Sequence, residues 1–77
     1  MRVEINEYIV ADSEICGGSP TFKKTRIMVW QVLDLLGAGI SVEEIIKRYF
    51  PELTNQSILS ALNFASKTIE DEKYIAF

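Results

Sequence analysis

The sequence predicts a mainly α domain: a three-helix bundle that contains a helix-turn-helix and follows a small N-terminal β arm or hairpin. The stretch 41–67 carries two amphipathic segments joined by a short turn that Pro51 marks, a pattern typical of a helix-turn-helix. A separate apolar stripe, formed by Val29, Val32 and Leu36, predicts another helix before it. Together these observations give three helices around one core.

The length of 77 residues allows a single domain. Within it we expect the β arm or hairpin at 1–27, the helical bundle at 28–70 and an apolar tail at 71–77. Hydrophobic residues make up 48% of the chain, which is rich for this length. Docking on a partner or on a second copy would cover the surplus apolar surface.

Composition argues against an enzyme. The chain has no histidine and a single cysteine, Cys16, so it lacks the usual general base, an intramolecular disulfide and a cysteine zinc cluster. No apolar run reaches membrane-spanning length, and the N-terminus has no signal-peptide core. We therefore expect a cytoplasmic protein without catalytic residues, metal or cofactor. The net charge of −3 weighs against nucleic acid as the main partner, because Lys and Arg supply most of that affinity.

The N-terminal third is predicted to be extended. Residues 2–6 alternate between polar and apolar side chains, and residues 8–10 form a second candidate strand. Residues 21–27 are predicted to form a small hairpin or an extended segment ahead of the first helix. Three helices follow, over 29–38, 41–49 and 54–67.

Each helix has a start or stop signal. Gly39 is the expected left-handed C-cap of the first helix. The second begins with a capping box between Ser41 and Glu44, and the third begins at its N-cap Thr54. The side chains predicted to converge in the core are Val32, Leu33, Leu36, Ile45, Ile46, Ile58, Leu62 and Ala65.

The outer face of the third helix gives the sharpest candidate site, a polar row at i, i+4, i+7 and i+11. Gln and Asn pair with adenine edges, and Ser and Lys reach bases or phosphates. In a nucleic-acid site, Gln56, Ser60 and Asn63 would face the bases, and the phosphates would be held by Lys67, Lys47 and Arg48. The alternative is the ordinary polar face of an amphipathic helix, which we favour over base reading.

Apolar residues beside this row and in the tail indicate a protein partner. Leu59 and Phe64 flank the polar row, and in an exposed position they suit a protein better than DNA. The tail carries Tyr74 and Phe77 next to acidic residues, which suits a partner with a basic cleft. The apolar side chains near the two chain ends predict a homodimer through Val3, Ile5, Tyr74, Ile75 and Phe77.

Lys23, Lys24 and Arg26 form a small basic cluster, which could grip phosphates or an acidic protein surface. The alternative is a solvated hairpin, which we favour for the two lysines. Arg26 is expected to be structural, with its guanidinium forked onto a carboxylate. The candidate carboxylates are Asp12, Glu14 and Asp34, and their spacing predicts neither catalysis nor a metal site.

Several motifs resemble a known family. Residues 12–20 read Asp-Ser-Glu-Ile-Cys-Gly-Gly-Ser-Pro, and residues 25–27 read Thr-Arg-Ile. The second half of the pattern appears as Leu35-Leu36-Gly37, Gly39, Ser41, Glu44-Ile45, Tyr49, Pro51, Leu53-Thr54, Ile58, Ala61-Leu62 and Ala65. From about 12 to 65 the chain is similar to the bacterial and archaeal domain-of-unknown-function 433 family.

This resemblance implies a homeodomain-like three-helix fold behind a small β arm. It also implies an antitoxin, encoded beside a nuclease-like protein of the PIN superfamily, that inhibits this toxin and represses a shared promoter. The chain departs from the pattern at three positions. Lys24 replaces a glycine, Met28 replaces a proline, and Phe50 is one residue more between Tyr49 and Pro51. If the hairpin turn is kept, Lys24 is expected to have a positive φ angle.

We therefore predict a small non-enzymatic antitoxin-like protein that binds and neutralises a PIN-like nuclease toxin, with DNA-binding autoregulation as an additional role. One alternative is a stand-alone helix-turn-helix transcriptional regulator, and another is a protein-interaction module of unknown role. DNA binding by the protein alone is expected to be weak. Neither a membrane nor a small-molecule substrate is expected as a partner.

Overall fold

Three short strands pair into an antiparallel sheet in the computed structural model, which describes residues 1–71. The strands are β1 (Arg2–Glu4), β2 (Ile9–Asp12) and β3 (Thr21–Phe22), in the spatial order β1-β2-β3. Ile9 lies directly opposite Phe22 in the register, and both are buried. Because side chains alternate between the two faces of a sheet, these two residues define its inner face.

The three helices follow the strands of the sheet in the chain, and one short helical turn lies between two strands. A 3-10 turn (Cys16–Gly18) connects β2 to β3, and the helices are α1 (Val29–Gly37), α2 (Val42–Glu44) and α3 (Asn55–Asp71). A π-helical turn (Ile45–Tyr49) continues α2 directly. The three predicted helices are thus present near their expected bounds. Of the helices within 1–71, none combines the length and apolar character that a membrane crossing requires.

Gly39 ends α1 as predicted. Its φ angle is 91°, a conformation that glycine adopts without steric cost. The Gly39 N–H donates to the Leu36 carbonyl at 3.0 Å, and the Ile40 N–H donates to the Leu35 carbonyl at 3.0 Å. These two bonds form a Schellman motif, which satisfies carbonyls at the end of the helix.

Hydroxyl caps begin the other two helices. The Ser41 hydroxyl accepts the Glu44 N–H at 3.1 Å, while the Glu44 carboxylate pairs with Arg48 at 3.2 Å. At α3 the cap is reciprocal: the Thr54 hydroxyl accepts the Ser57 N–H at 3.1 Å, and the Ser57 hydroxyl accepts the Thr54 N–H at 2.9 Å. Thr54 is therefore the N-cap of α3, as predicted.

The buried core draws on the sheet as well as on the helices. Ile9, Phe22 and Ile27 come from the β part of the chain. They share one cluster with the helical and turn residues Val29, Val32, Ile45, Leu53, Ile58 and Ala61. The prediction of a mainly α three-helix, homeodomain-like bundle with a β arm is therefore wrong. The protein is a small α+β domain in which the sheet forms a layer of the core.

α3 packs against α1, α2 and β2 through a face centred on Ile58 and Ala61, which are fully buried. Ser57 is also buried, so two of the three innermost residues are small. Small side chains let a helix approach its neighbours closely. The helix consequently turns Leu62 outward, where its side chain is 41% exposed. The prediction that Leu62 belongs to the core is wrong.

Ile58→Ala should lower the free energy of unfolding by about 2–5 kcal/mol, because it removes fully buried methyl groups and leaves a cavity. Leu59→Ala is the matched control on the same helix, since Leu59 is 55% exposed. It should cost less than about 1 kcal/mol. Urea unfolding followed by circular dichroism measures both values, and similar costs for the two variants would contradict this assignment of the buried face.

The turn after β3 holds Lys24 in a left-handed conformation, with a φ angle of 65°. The Thr25 N–H donates to the Phe22 carbonyl at 3.1 Å, and the Phe22 N–H donates to the Ile27 carbonyl at 3.0 Å. These bonds close a hairpin, and the expected positive φ at Lys24 is confirmed. A lysine in this region carries a steric cost that glycine avoids.

Lys24→Gly should therefore give a higher free energy of unfolding than Lys24→Ala, by about 1 kcal/mol. Both variants remove the same charge and the same long side chain, so their difference isolates the backbone strain. Thermal or urea unfolding of the two purified variants measures it. A less stable glycine variant would mean that the turn does not strain the lysine.

Candidate functional site

An apolar row lies exposed along α3. Leu59, Leu62 and Ile69 are 55%, 41% and 62% exposed, respectively. Their spacing of i, i+3 and i+10 places them on one side of the helix, with the exposed Ser66 between them. We call these four residues the exposed α3 row.

The predicted partner-binding residues divide into three groups. Leu59 belongs to the exposed α3 row, and a partner-binding role requires this exposure. Phe64 is half-buried and packs against the core, so it contributes less free surface than expected. Tyr74 and Phe77 lie outside the described residues.

The predicted homodimer surface is described only in part. Val3 in β1 is 52% exposed, whereas Ile5 is half-buried and packs against the core. Ile75 lies outside the described residues, as do the other two tail residues of that prediction. The homodimer therefore stays a prediction.

Ser60, Asn63 and Lys67 from the predicted base-reading row line a groove of about 460 Å³. Residues 5–8, which form the turn between β1 and β2, make its opposite wall. Asn6 fixes this wall, because its side-chain oxygen accepts the Tyr8 N–H at 2.8 Å and the Ile9 N–H at 2.9 Å. Three residues of the polar row therefore line a groove with two walls, α3 on one side and the β1–β2 turn on the other.

Individual polar groups in this row differ in availability. The Ser60 hydroxyl donates to the Ser57 carbonyl at 2.7 Å, so its hydrogen is already used within the helix. Asn63 and Lys67 are exposed, and so is Gln56, about two turns before Asn63. Two of the three predicted base contacts, Gln56 and Asn63, are thus exposed, as is the predicted phosphate contact Lys67.

The basic residues proposed for phosphate contacts lie in different places. Lys47 lines a second groove, between α2 and the start of α3, together with Glu43 and Asn55. Arg48 is exposed and its guanidinium pairs with Glu44 at 3.2 Å. Lys67, by contrast, lines the groove beside the β1–β2 turn. The predicted nucleic-acid residues therefore do not form one continuous basic surface.

A third groove, of about 560 Å³, is lined by cationic side chains. We call it the basic groove, and its lining residues are Arg2, Val10, Ile15, Thr21, Lys24, Thr25 and Arg26. The sequence singled out Lys24 and Arg26 but missed Arg2, because only the pairing of β1 with β2 brings the N-terminus to this place. The alternation of polar and apolar residues along 2–6 was the sequence signal for β1.

Glu4 is the carboxylate beside this groove. Its Oε1 pairs with Lys23 Nζ at 3.1 Å, and its Oε2 pairs with Arg2 Nε at 3.2 Å. The hydrogen bond from Lys23, with that from Arg2, lowers the pKa of Glu4 below its ordinary value. Glu4 therefore stays ionised and offsets part of the charge of these two cations.

Arg26 does not form the expected fork. Within residues 1–71 it makes no ion pair with Asp12, Glu14 or Asp34, and it is exposed. The Asp12 carboxylate instead accepts the Glu14 N–H at 2.9 Å, which is an Asx turn. The structural role predicted for the Arg26 guanidinium is wrong, and this side chain is available to the groove.

The described residues contain little else that suggests chemistry. Over 1–71, no three acidic or cysteine side chains are grouped to hold a metal ion. Cys16 is half-buried and its thiol donates to the Arg26 carbonyl at 3.6 Å. The candidate site is therefore a set of binding surfaces: the exposed α3 row and the grooves around it.

Comparison with known families gives one match. Residues 9–65 match the model of a family described as a protein of unknown function, DUF433. The matched span runs from β2 into α3, so it includes the strands β2 and β3, the hairpin and the helices α1 and α2, while β1 lies before it. No curated protein and no solved structure matches the chain.

Proposed function

The chain belongs to the DUF433 family, and we propose that it is a small non-enzymatic, antitoxin-like protein that binds and neutralises a PIN-like nuclease. The description of the family states no activity, so the proposal depends on the exposed α3 row and on the resemblance noted from the motifs. In this proposal the protein acts in the cytoplasm, bound to the toxin.

The exposed α3 row supports a protein partner. Large apolar side chains at helical spacing are the anchors that a groove on a partner recognises in helix-in-groove complexes. Leu59 and Leu62 form the N-terminal half of the row, and Ile69 extends it toward the end of the described helix. Scattered exposed apolar residues are normal on a surface, but an aligned row on the longest helix offers one continuous contact.

Charge indicates what kind of partner fits. The row ends beside Glu70 and Asp71, which are both exposed. Over residues 29–71 the chain carries six acidic side chains and three basic ones. A partner with an apolar groove and a basic rim would match this surface, because opposite charges at a rim speed association and select the partner.

The apolar area of the exposed α3 row limits how much of the binding free energy it supplies. Full burial of one large apolar side chain stabilises by about 1.5–3 kcal/mol, and these three are already about half covered. The row therefore supplies roughly 3 kcal/mol, whereas a micromolar complex needs about 8 kcal/mol. Contacts of the acidic end, and of further residues around the row, must supply the remainder.

The double substitution Leu59→Ser and Leu62→Ser should weaken binding to a PIN-like nuclease encoded beside this gene by about 30-fold, because it removes about 2 of the roughly 3 kcal/mol that the row supplies. Val3→Ser is the matched control, since Val3 has a similar exposure of 52% but lies on β1. Titration calorimetry measures the affinity, and growth of cells that express the nuclease measures neutralisation.

Both leucines are about half covered within the domain, so the double variant should lose some stability but remain folded at the temperature of the binding assay, which thermal unfolding of the isolated protein checks. Unchanged affinity and neutralisation in the double variant would refute the role of the exposed α3 row. An equal loss in the Val3→Ser control would do the same.

DNA-binding autoregulation is a second candidate, and the exposed Asn63 and Lys67 side by side on α3 favour it. The distribution of charge limits its strength. Lys47 lies in a different groove, and Glu44 neutralises Arg48. We propose that DNA is bound weakly by the protein alone and more tightly by its complex with the nuclease.

The isolated protein should bind its own promoter no more tightly than non-specific DNA, with a Kd of about 1 µM or weaker at physiological salt. In the complex, Lys67→Gln should reduce the salt dependence by about one unit, and Asn63→Ala should relax specificity at one base pair. Fluorescence anisotropy at several salt concentrations measures these effects. Tight, salt-sensitive promoter binding by the isolated protein would instead favour a stand-alone regulator.

A further inference from the structure

We propose that the basic groove binds a small ligand that carries a terminal phosphate. Three cationic side chains, Arg2, Lys24 and Arg26, line it, and no carboxylate does so within residues 1–71. Arg2 shares its charge with Glu4, whose second oxygen is bound by Lys23. Lys24 and Arg26 make no ion pair in the described part of the chain, so their charges are free for a ligand.

The floor of the groove is preformed. Val10 and Thr21 are 2% and 1% exposed, and they lie opposite each other in neighbouring strands. The Thr25 hydroxyl donates to the Phe22 carbonyl at 2.7 Å and accepts the Ile27 N–H at 3.0 Å. Since the floor is packed and its hydroxyls are already bonded, the long cationic side chains at the rim supply the recognition.

Backbone strain coincides with this groove. The two non-glycine residues with positive φ in the described chain are Cys16, at 51°, and Lys24, at 65°. Lys24 lines the groove, while Cys16 follows the lining residue Ile15 and bonds the Arg26 carbonyl. Strained residues persist where the surroundings hold them, and they concentrate at ligand sites. In this turn Lys24 takes the left-handed conformation at the position where the family pattern has a glycine.

The chemistry of the rim selects phosphate. A guanidinium offers paired N–H donors that match the oxygens of phosphate, and an ammonium adds a compact charge. Two guanidinium groups and one ammonium group suit a dianionic terminal phosphate better than the single charge of a phosphodiester. The volume of about 560 Å³ lies within the range of small-molecule pockets, which leaves room for a body attached to the phosphate.

Titration calorimetry with inorganic pyrophosphate tests the proposal on the full chain. Lys24→Gln and Arg26→Gln should each weaken binding about tenfold or more, the loss expected for one charge-assisted hydrogen bond. Lys47→Gln removes the same charge outside the groove and should leave the affinity within about twofold. Lys24→Gly should also weaken the binding of pyrophosphate. Because this variant relieves backbone strain and does not destabilise the fold, unfolding cannot explain its loss of affinity.

Three outcomes would overturn the proposal. The first is no heat of binding at millimolar pyrophosphate, and the second is an equal loss of affinity in the Lys47→Gln control. The third is tight binding of a single-stranded oligonucleotide without terminal phosphates while pyrophosphate does not bind. That result would assign the groove to a nucleic-acid backbone.

Discussion

The close packing of α3 on the sheet is the constraint on which the rest of this domain depends. Ser57 and Ala61 are small and buried, and they belong to the face of α3 that packs against β2 and the other helices. The Thr54 cap binds Ser57 and fixes where the helix begins. Ile9 and Phe22 fill the space on the sheet side. A larger residue at position 61 would push the helix away from this layer.

The same packing decides which surfaces remain for function. With Ile58 and Ala61 at the centre of the buried face, Leu59 points away from the core, and Leu62 lies at the edge of that face, where it is 41% exposed. The polar residues Asn63 and Lys67 then meet the turn between β1 and β2. One rotation of α3 therefore produces both an exposed apolar row and a bounded polar groove, and it favours a protein partner over a DNA groove.

Local signals in the sequence predicted the local features. The helices, the left-handed Gly39 and the Thr54 cap depend on neighbouring residues, and they were predicted correctly. The positive φ of Lys24 was also predicted correctly, from the glycine that the family pattern has at this position. The sheet layer was not, because its place in the core depends on packing against α3, which lies far along the chain. Leu62 was assigned to the core because it belongs to the apolar stripe of α3, and helical spacing alone does not show that the buried face centres on Ile58 and Ala61.

Among the candidate site residues, too, those with a local signal were predicted and those brought together by the fold were not. Leu59, Asn63 and Lys67 were recognisable from helical spacing, since that pattern needs no tertiary information. Arg2 joins the basic groove through strand pairing, and the free state of Arg26 depends on where Asp12 turns its carboxylate. Spacing along one chain cannot supply either fact. The antitoxin-like function comes from the family resemblance and not from the composition, and it stays a proposal.

The π-helical turn explains how the chain accommodates Phe50, the extra residue relative to the family pattern. The Phe50 N–H donates to the Ile45 carbonyl at 2.7 Å, an i to i+5 bond that encloses one residue more than an α-helical turn. Such turns are rare and local. Because the turn takes up the extra residue before Pro51, Ile45 stays in the core and α3 still starts at its Thr54 cap. The π-helical turn therefore sets the path from α2 toward α3, and α3 packs against β2 beyond it.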